Sequence, residues 1–403
     1  MQKLPLEGIR VADFTAVWAG PHVTQWLAVM GAEVIKIESR LRPDMIRAYW
    51  TLETTGQTIN SEFAEFNFGK KGCTLNMTHP KAREIAKELI SIADVVTENF
   101  GGSVMERWGM GYSELVKLKP DIIMYSGSGF GRTGPYKESP AFAGIVEAFA
   151  GLCALNGYRG GEPRPMPTFG YADITSAEHG VFAILAALDH RFRTGEGQYI
   201  DLSMTEVTST LIFDAVMDFT MNGRVQKPQG NRHHSMAPHG CYRCRGDDEW
   251  VAIAIGSDTE WEAFCEAIGS PQWTIDERFR DGLNRWQNQD ELDSLIQEWT
   301  RNHTHYEVTE ILQKSGVMAG PSLKMEEVIQ DCHLSERGFH LEVEHPGLGT
   351  WCLAALPWKL SDVPPGNYEH APELGEHNDY VFGQLLHMSK EEMARLEEEQ
   401  VIL

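Results

Sequence analysis

The sequence predicts an α/β protein built on a parallel sheet, and three observations carry that prediction. Between residues 9 and 128 short β-rich runs alternate with helical patterns, the strand, helix, strand rhythm of a parallel sheet covered by helices. A length of 403 residues exceeds one ordinary core and sets a prior of about two to three domains, one of them discontinuous. With 42% hydrophobic and 23% charged residues, the chain has a globular composition and can bury a large core.

In order, IRVADF (9–14) reads as a strand, HVTQWLAVMG (22–31) as a helix and EVIKIE (33–38) as a strand. HPKAREIAKELISIA (79–93) and YSELVKLK (112–119) are helical in pattern, and DVVTEN (94–99) and IIMYSGSG (122–129) are β-rich. From Asp173 onward Ile174, Ala177, Val181, Ile184, Leu185 and Leu188 keep helical spacing until Thr194, Gly195 and Gly197 break it. QYIDLSM then alternates, with Ile200, Leu202 and Met204 on one face of a strand. GRVQKPQGNRHHSMAPHG (223–240) has no periodicity and reads as a long loop or linker. A smaller unit follows, with strands CYRCR and WVAIAI and helices around WEAFCEAIG and HYEVTEILQKSG. After HLEVEHP and TWCLAALPWKL the tail returns to helix, Ser389 and Glu392 being spaced as a capping box.

The N-terminus lacks a basic segment followed by an apolar run, and no run approaches 18 apolar residues, so a soluble, cytoplasmic protein is expected, with no membrane partner. Seven scattered cysteines fit a reducing compartment. The Cys241 and Cys244 pair lacks a second pair or His cluster at zinc spacing and reads as two strand residues, with no metal expected. A net charge of -23 argues against nucleic acid as a partner. A polyanionic ligand would need a local basic pocket, and Arg40, Arg42, Arg47, Lys70, Lys71 and Arg107 concentrate cations toward the N-terminus.

Asp173 opens the long helix and, by residue type alone, reads as its N-cap. The helix end favours its ionised form. A rigidly held, ionised carboxylate is also what a covalent nucleophile requires. SGSGFGRTGP (126–135) supplies glycines that let backbone N–H groups approach an anion, although its spacing is not a dinucleotide fingerprint and it reads equally as a turn.

Taken together, PLEGIRVADF, AGPHVTQWLAVMGAEVIKIE, TENF, GSGFGRTGP, the 171–204 segment and the late LGEHN, in that order, resemble the class III coenzyme A transferases over nearly the whole chain. The resemblance implies relatives of formyl-CoA, carnitine and benzylsuccinate CoA transferases. It also implies a Rossmann-like large domain built from both chain ends, a smaller α+β domain, and an interlocked dimer, either a homodimer or a heterodimer with a homologous subunit. On that reading 1–205 and 326–403 form the large domain, 326–403 including a return linker, while 206–240 is a linker and 241–325 the small domain.

What the resemblance implies for chemistry is a CoA thioester as substrate, no permanently bound cofactor, and a carboxylic acid as second substrate. Asp173 then stands where the family's nucleophile attacks the acyl-CoA carbonyl to give an aspartyl anhydride and CoA thiolate, followed by an enzyme-CoA thioester. Val17, Trp18, Ala19, Arg40, Leu75, Asn99, Phe100 and Arg107 match positions that line CoA. Trp18 replaces a glutamine of the formyl-CoA branch, Ala143 replaces a carboxylate, and His233 and His234 fall where that branch has a glycine lid. These four are the expected acid-binding residues: Trp18 with Ala143 suggests an acceptor with an apolar or aromatic body, and His233 and His234 read either as a carboxylate contact or as a solvent-facing loop pair. The acceptor expected is a benzylsuccinate-like substituted succinate, with carnitine-type acids next, taking CoA from a donor such as succinyl-CoA. A 2-methylacyl-CoA racemase would share the fold but needs a second base where this chain has Phe142 and Ala143. A non-catalytic subunit of a heterodimer, and a nicotinamide dehydrogenase resting on the glycine runs alone, complete the alternatives.

Overall fold

The computed structural model describes residues 3–48, 61–166, 170–345 and 349–403. They divide into two compact units, the first from 1–153, 165–225 and 338–403, the second from 154–164 and 226–337.

The first unit is organised by β1 (Arg10–Asp13), β2 (Glu33–Glu38), β3 (Lys71–Thr74), β4 (Val95–Glu98), β5 (Ile123–Ser128) and β6 (Tyr199–Ser203). Among the described residues these six pair in the order β3-β2-β1-β4-β5-β6, every pair parallel. Successive strand residues go to opposite faces. Val11, Val34, Val95 and Ile123 enter one core, while their neighbours Ala12, Ile35, Val96 and Met124 enter the other. A sheet buried on both faces explains why its strands read as continuous apolar runs.

Helices α1 (Ala19–Val29), α2 (Met45–Ala48), α3 (Ser61–Asn67), α4 (Pro80–Ser91), α5 (Val104–Arg107), α6 (Tyr112–Leu118), α7 (Ala143–Phe149), α8 (Leu152–Leu155) and α9 (Tyr171–Thr194) follow in chain order. Val23 and Leu27 of α1 and Ala177, Val181 and Ile184 of α9 fill the core on one face. Ile85 and Leu89 of α4, Leu115 of α6 and Leu396 of the C-terminal helix Lys390–Glu398 fill the other. The C-terminal residues are tied to the sheet edge, since Thr74 N–H donates to Asn378 Oδ1 at 2.9 Å and Leu75 bridges Ile402. The first unit is therefore made from both ends of the chain. The Ser389 hydroxyl accepts the Glu392 N–H at 3.2 Å, the forward half of the expected box.

Two readings of the sequence need correction. Strand β3 was not anticipated, because KGCT is short, half polar and recognisable only through its pairing with β2. The stretch 206–240, expected as a linker, begins as helix: α10 (Met204–Thr210) is capped by Ser203, whose hydroxyl accepts the Glu206 N–H at 3.3 Å, and α11 (Phe213–Asn222) follows. The unit boundary falls after residue 225.

In the second unit β7 (His239–Arg243), β8 (Trp250–Ala254) and β9 (Met318–Ser322) form an antiparallel sheet. Tyr242, Val251 and Ile253 pack there with Trp261, Phe264, Leu292 and Val308 from its helices. Its limits, 154–164 with 226–337, are wider than the 241–325 read from sequence, because short helical turns such as Met325–Gln330 have no long periodicity and carry no clear boundary signal. Cys241 lies on β7 and Cys244 one residue beyond it. The hairpin β10 (His340–His345) and β11 (Gly349–Ala354) returns to the first unit. Among the described residues no helix is long and apolar enough to cross a membrane.

Candidate active site

Helix α9 begins at Tyr171 with Gly170 as its N-cap, in the left-handed conformation at φ 79°. Asp173 is thus in the first turn but is not the cap residue, and the N-cap expectation is corrected: the cap position is a glycine, which makes no side-chain cap bond. The backbone N–H of Ala19, the first residue of α1, lies near enough to the Asp173 carboxylate to favour its charged form. Two helix N-termini therefore meet at one carboxylate.

Gly170 lets them meet. A Cβ there would sit 2.5 Å from Cε3 of Trp18 and 2.9 Å from Oδ2 of Asp173. The same geometry shows that the Trp18 ring lies against the turn that carries Asp173. Trp18 in turn packs on Phe66 at 4.9 Å between centroids, in an apolar cluster that Ile174 also joins.

Burial pushes the Asp173 carboxyl up to about 7, the neighbouring Glu147 carboxylate adds to the rise, and the Ala19 N–H opposes it. Glu147, on α7 and 3% exposed, was missed in the sequence. Its Oε1 accepts the Ala172 N–H at 3.1 Å, bracing the turn on the side away from α1. Nothing in the sequence flags this contact, because the two residues are 25 positions apart and a single Glu in a short helix has no pattern.

The loop between β1 and α1 is held at several successive peptide groups. Asn99 accepts the Ala16 N–H and donates to the Ala16 carbonyl, both at 2.8 Å. Val17 is held at φ 69°, a left-handed conformation that costs a β-branched residue about 1–3 kcal/mol. Asn99 is therefore a clamp on the residues that precede Ala19, more than a simple turn former. Asp44 and Lys36, also missed, lie beneath this loop with side chains at most 1% exposed. A lysine inside the apolar run EVIKIE was the available signal for a buried ion pair.

The remaining expected residues separate by burial. Arg40 is exposed after β2 and donates to the Leu374 carbonyl at 3.0 Å. Arg107, at the end of α5, is exposed, and Phe100 is half-buried edge-on to Trp108 at 5.3 Å. Leu75 is fully buried in the core beneath β3. Ala143 is buried with Val146 and Ala172 in the α1/α9 core, a packing position without an exposed face. His233 and His234 belong to the second unit, their rings 4.1 Å apart.

The basic cluster also resolves into different roles. Arg47 pairs with Glu38 at 2.8 Å and its guanidinium lies 3.4 Å from the Phe63 ring centroid. Lys70 is buried against Asp13 at 3.4 Å and the Pro21 carbonyl at 2.8 Å. These two are structural and Lys71 is half-buried with its ammonium 5.3 Å from the Tyr380 ring centroid, which leaves Arg40, Arg42 and Arg107 as the exposed cations of the six.

Comparison with known proteins identifies the family of the chain. Residues 6–378 match CoA-transferase family III. The chain is 33% identical to the succinyl-CoA–D-citramalate CoA-transferase of Chloroflexus aurantiacus, covering 99% of this chain and 98% of the relative. It is 31% identical to the succinyl-CoA–L-malate CoA-transferase beta subunit of the same organism, covering 99% and 98%. A crystal structure of a CAIB/BAIF family protein from Brucella suis superposes with a TM-score of 0.86 at 29% identity, covering 96% of this chain and 100% of that one. This protein is a class III CoA transferase and belongs to CoA-transferase family III.

Proposed function

We propose that the protein transfers CoA from succinyl-CoA to a second dicarboxylic acid, with Asp173 as covalent nucleophile. The observation that carries this reading is the Asp173 carboxylate, in the first turn of α9 without a capping role and beside the Gly170 turn against which the Trp18 ring lies. Asp173 attacks the thioester carbonyl, expelling CoA thiolate and leaving a mixed anhydride. The thiolate then attacks the aspartyl carbonyl, releasing succinate and forming an aspartyl-CoA thioester. The acceptor carboxylate reverses both steps, so each bond broken is replaced by one of similar energy and Asp173 is regenerated. The Ala19 N–H, a backbone donor fixed before reaction, is suited to charge developing at these carbonyls.

Relatives acting on D-citramalate and L-malate support a short dicarboxylate as acceptor. Trp18, Phe66 and Ile174 supply an apolar wall that suits a substituted succinate, the benzylsuccinate-like class included. A panel of succinate derivatives assayed with succinyl-CoA tests this. Trp18→Gln should alter preference among those acids more than it alters CoA binding; an unchanged preference contradicts the wall.

CoA affinity is assigned to Arg40 and Arg107, exposed cations able to meet phosphate. Arg40→Ala should raise KM for both acyl-CoA substrates by about tenfold, the loss of one charge-assisted hydrogen bond. A selective effect on the free acid would remove that assignment.

The pH dependence has a definite sign. A carboxyl raised to about 7 is protonated and inert below that pH, so kcat/KM should fall about tenfold per pH unit on the acid side. Glu147→Gln removes a neighbouring negative charge while keeping an acceptor for Ala172, so its acid limb should move to lower pH. A limb that stays in place would exclude Glu147 as a cause.

An interlocked dimer fits the same reading. Phe182 of α9 is 74% exposed, Phe192 90% and Met221 of α11 73% in the single chain, an apolar surface of the kind that marks an interface. A dimer mass in light scattering is the expected result.

A further inference from the structure

Val17 occupies a conformation that its own side chain disfavours, so neighbouring groups must hold it there. Asp44 Oδ1 accepts the Val17 N–H at 3.0 Å, and Asp44 Oδ2 lies 3.1 Å from Lys36 Nζ. Lys36 is wholly buried within β2 and donates also to the Thr15 carbonyl at 2.8 Å. With Ala16 fixed by Asn99, three successive residues are anchored to the sheet beneath them. The next residue, Trp18, has its ring against the Gly170 turn that carries Asp173: a Cβ at Gly170 would sit 2.5 Å from the indole and 2.9 Å from Asp173 Oδ2.

We propose that Asp44, held by Lys36, is a positioning residue for the CoA exchange: it keeps Val17 in the left-handed region and so holds Trp18 and the start of α1 against the Gly170 turn that carries Asp173. The inference rests on Asp173 being the nucleophile. Neither Asp44 nor Lys36 touches a reacting atom. Their ion pair acts through the strained turn, since a buried pair of this kind adds little net stability and is better understood as fixing one geometry.

The test uses full-length Asp44→Ala alone and combined with Val17→Gly. Loss of the anchor should lower kcat about 10- to 100-fold, the scale of a misplacement near 1 Å, with a much smaller change in KM for succinyl-CoA. Glycine adopts the left-handed conformation without the side-chain penalty, so Val17→Gly in the Asp44→Ala background should recover about tenfold of the lost kcat. A purely structural role predicts the opposite, because adding a flexible glycine to an already destabilised protein rescues nothing. If Asp44→Ala does not fold, the shape-conserving Asp44→Asn carries the same pair of measurements. Wild-type kcat in the folded variant, or a loss that Val17→Gly leaves uncorrected, overturns the proposal. Failure of the wild-type protein to trap an acyl group on Asp173 would instead overturn the nucleophile assignment, whatever the Asp44 variants do.

Discussion

Asp173→Ala is expected to lower kcat by about a thousandfold or more while leaving CoA affinity nearly unchanged. A residue that forms covalent intermediates has no substitute, and removing such a nucleophile ordinarily removes almost the whole of the rate enhancement. The nucleotide, by contrast, is assigned to Arg40 and Arg107, which Asp173 does not touch. Binding and turnover should therefore separate cleanly in calorimetry and steady-state kinetics. Turnover close to wild type would remove the mechanism, and a parallel loss of CoA binding would mean that the carboxylate shapes the pocket more than the chemistry.

Gly170→Ala is the second substitution with a large expected effect, and it acts without removing any reacting group. The added Cβ would lie 2.5 Å from the Trp18 ring and 2.9 Å from an Asp173 oxygen, and the backbone there is left-handed at φ 79°. The conformational penalty alone is about 1–2 kcal/mol. Relief of the contact must shift either the indole or the first turn of α9. A carboxylate displaced by about 1 Å costs about a hundredfold in rate, so kcat should fall by that order and the urea midpoint should drop. Wild-type kcat in this variant would show that the turn does not position Asp173.

The parallel sheet was legible because both of its faces are covered. Runs such as VVTE and IIMY carry no polar face, and their alternate residues are divided between two cores. Helix α9 was equally plain, since its apolar spacing holds for many turns and ends at Gly195 in the left-handed conformation. Short elements left no such trace: β3 exists through its pairing with β2, and α10 depends on a single capping serine.

The site was legible only in part, and the division follows from how each residue acts. Asp173 and Trp18 stood out through the resemblance of their flanking motifs, and the structure brings them together at Gly170. Glu147, Lys36 and Asp44 act through contacts with distant backbone groups, which residue type does not encode. Charge misled in the other direction, because Arg47 and Lys70 look like ligand cations in sequence yet are buried in ion pairs.

The central claim, covalent chemistry at Asp173, is tested most directly by incubating the wild-type protein with succinyl-CoA, adding hydroxylamine and mapping the product by peptide mass spectrometry. The account predicts a hydroxamate on Asp173 that requires the acyl-CoA and is absent from Asp173→Ala. Hydroxylamine-stable protein with ongoing CoA exchange, or a hydroxamate on another carboxylate, would contradict it.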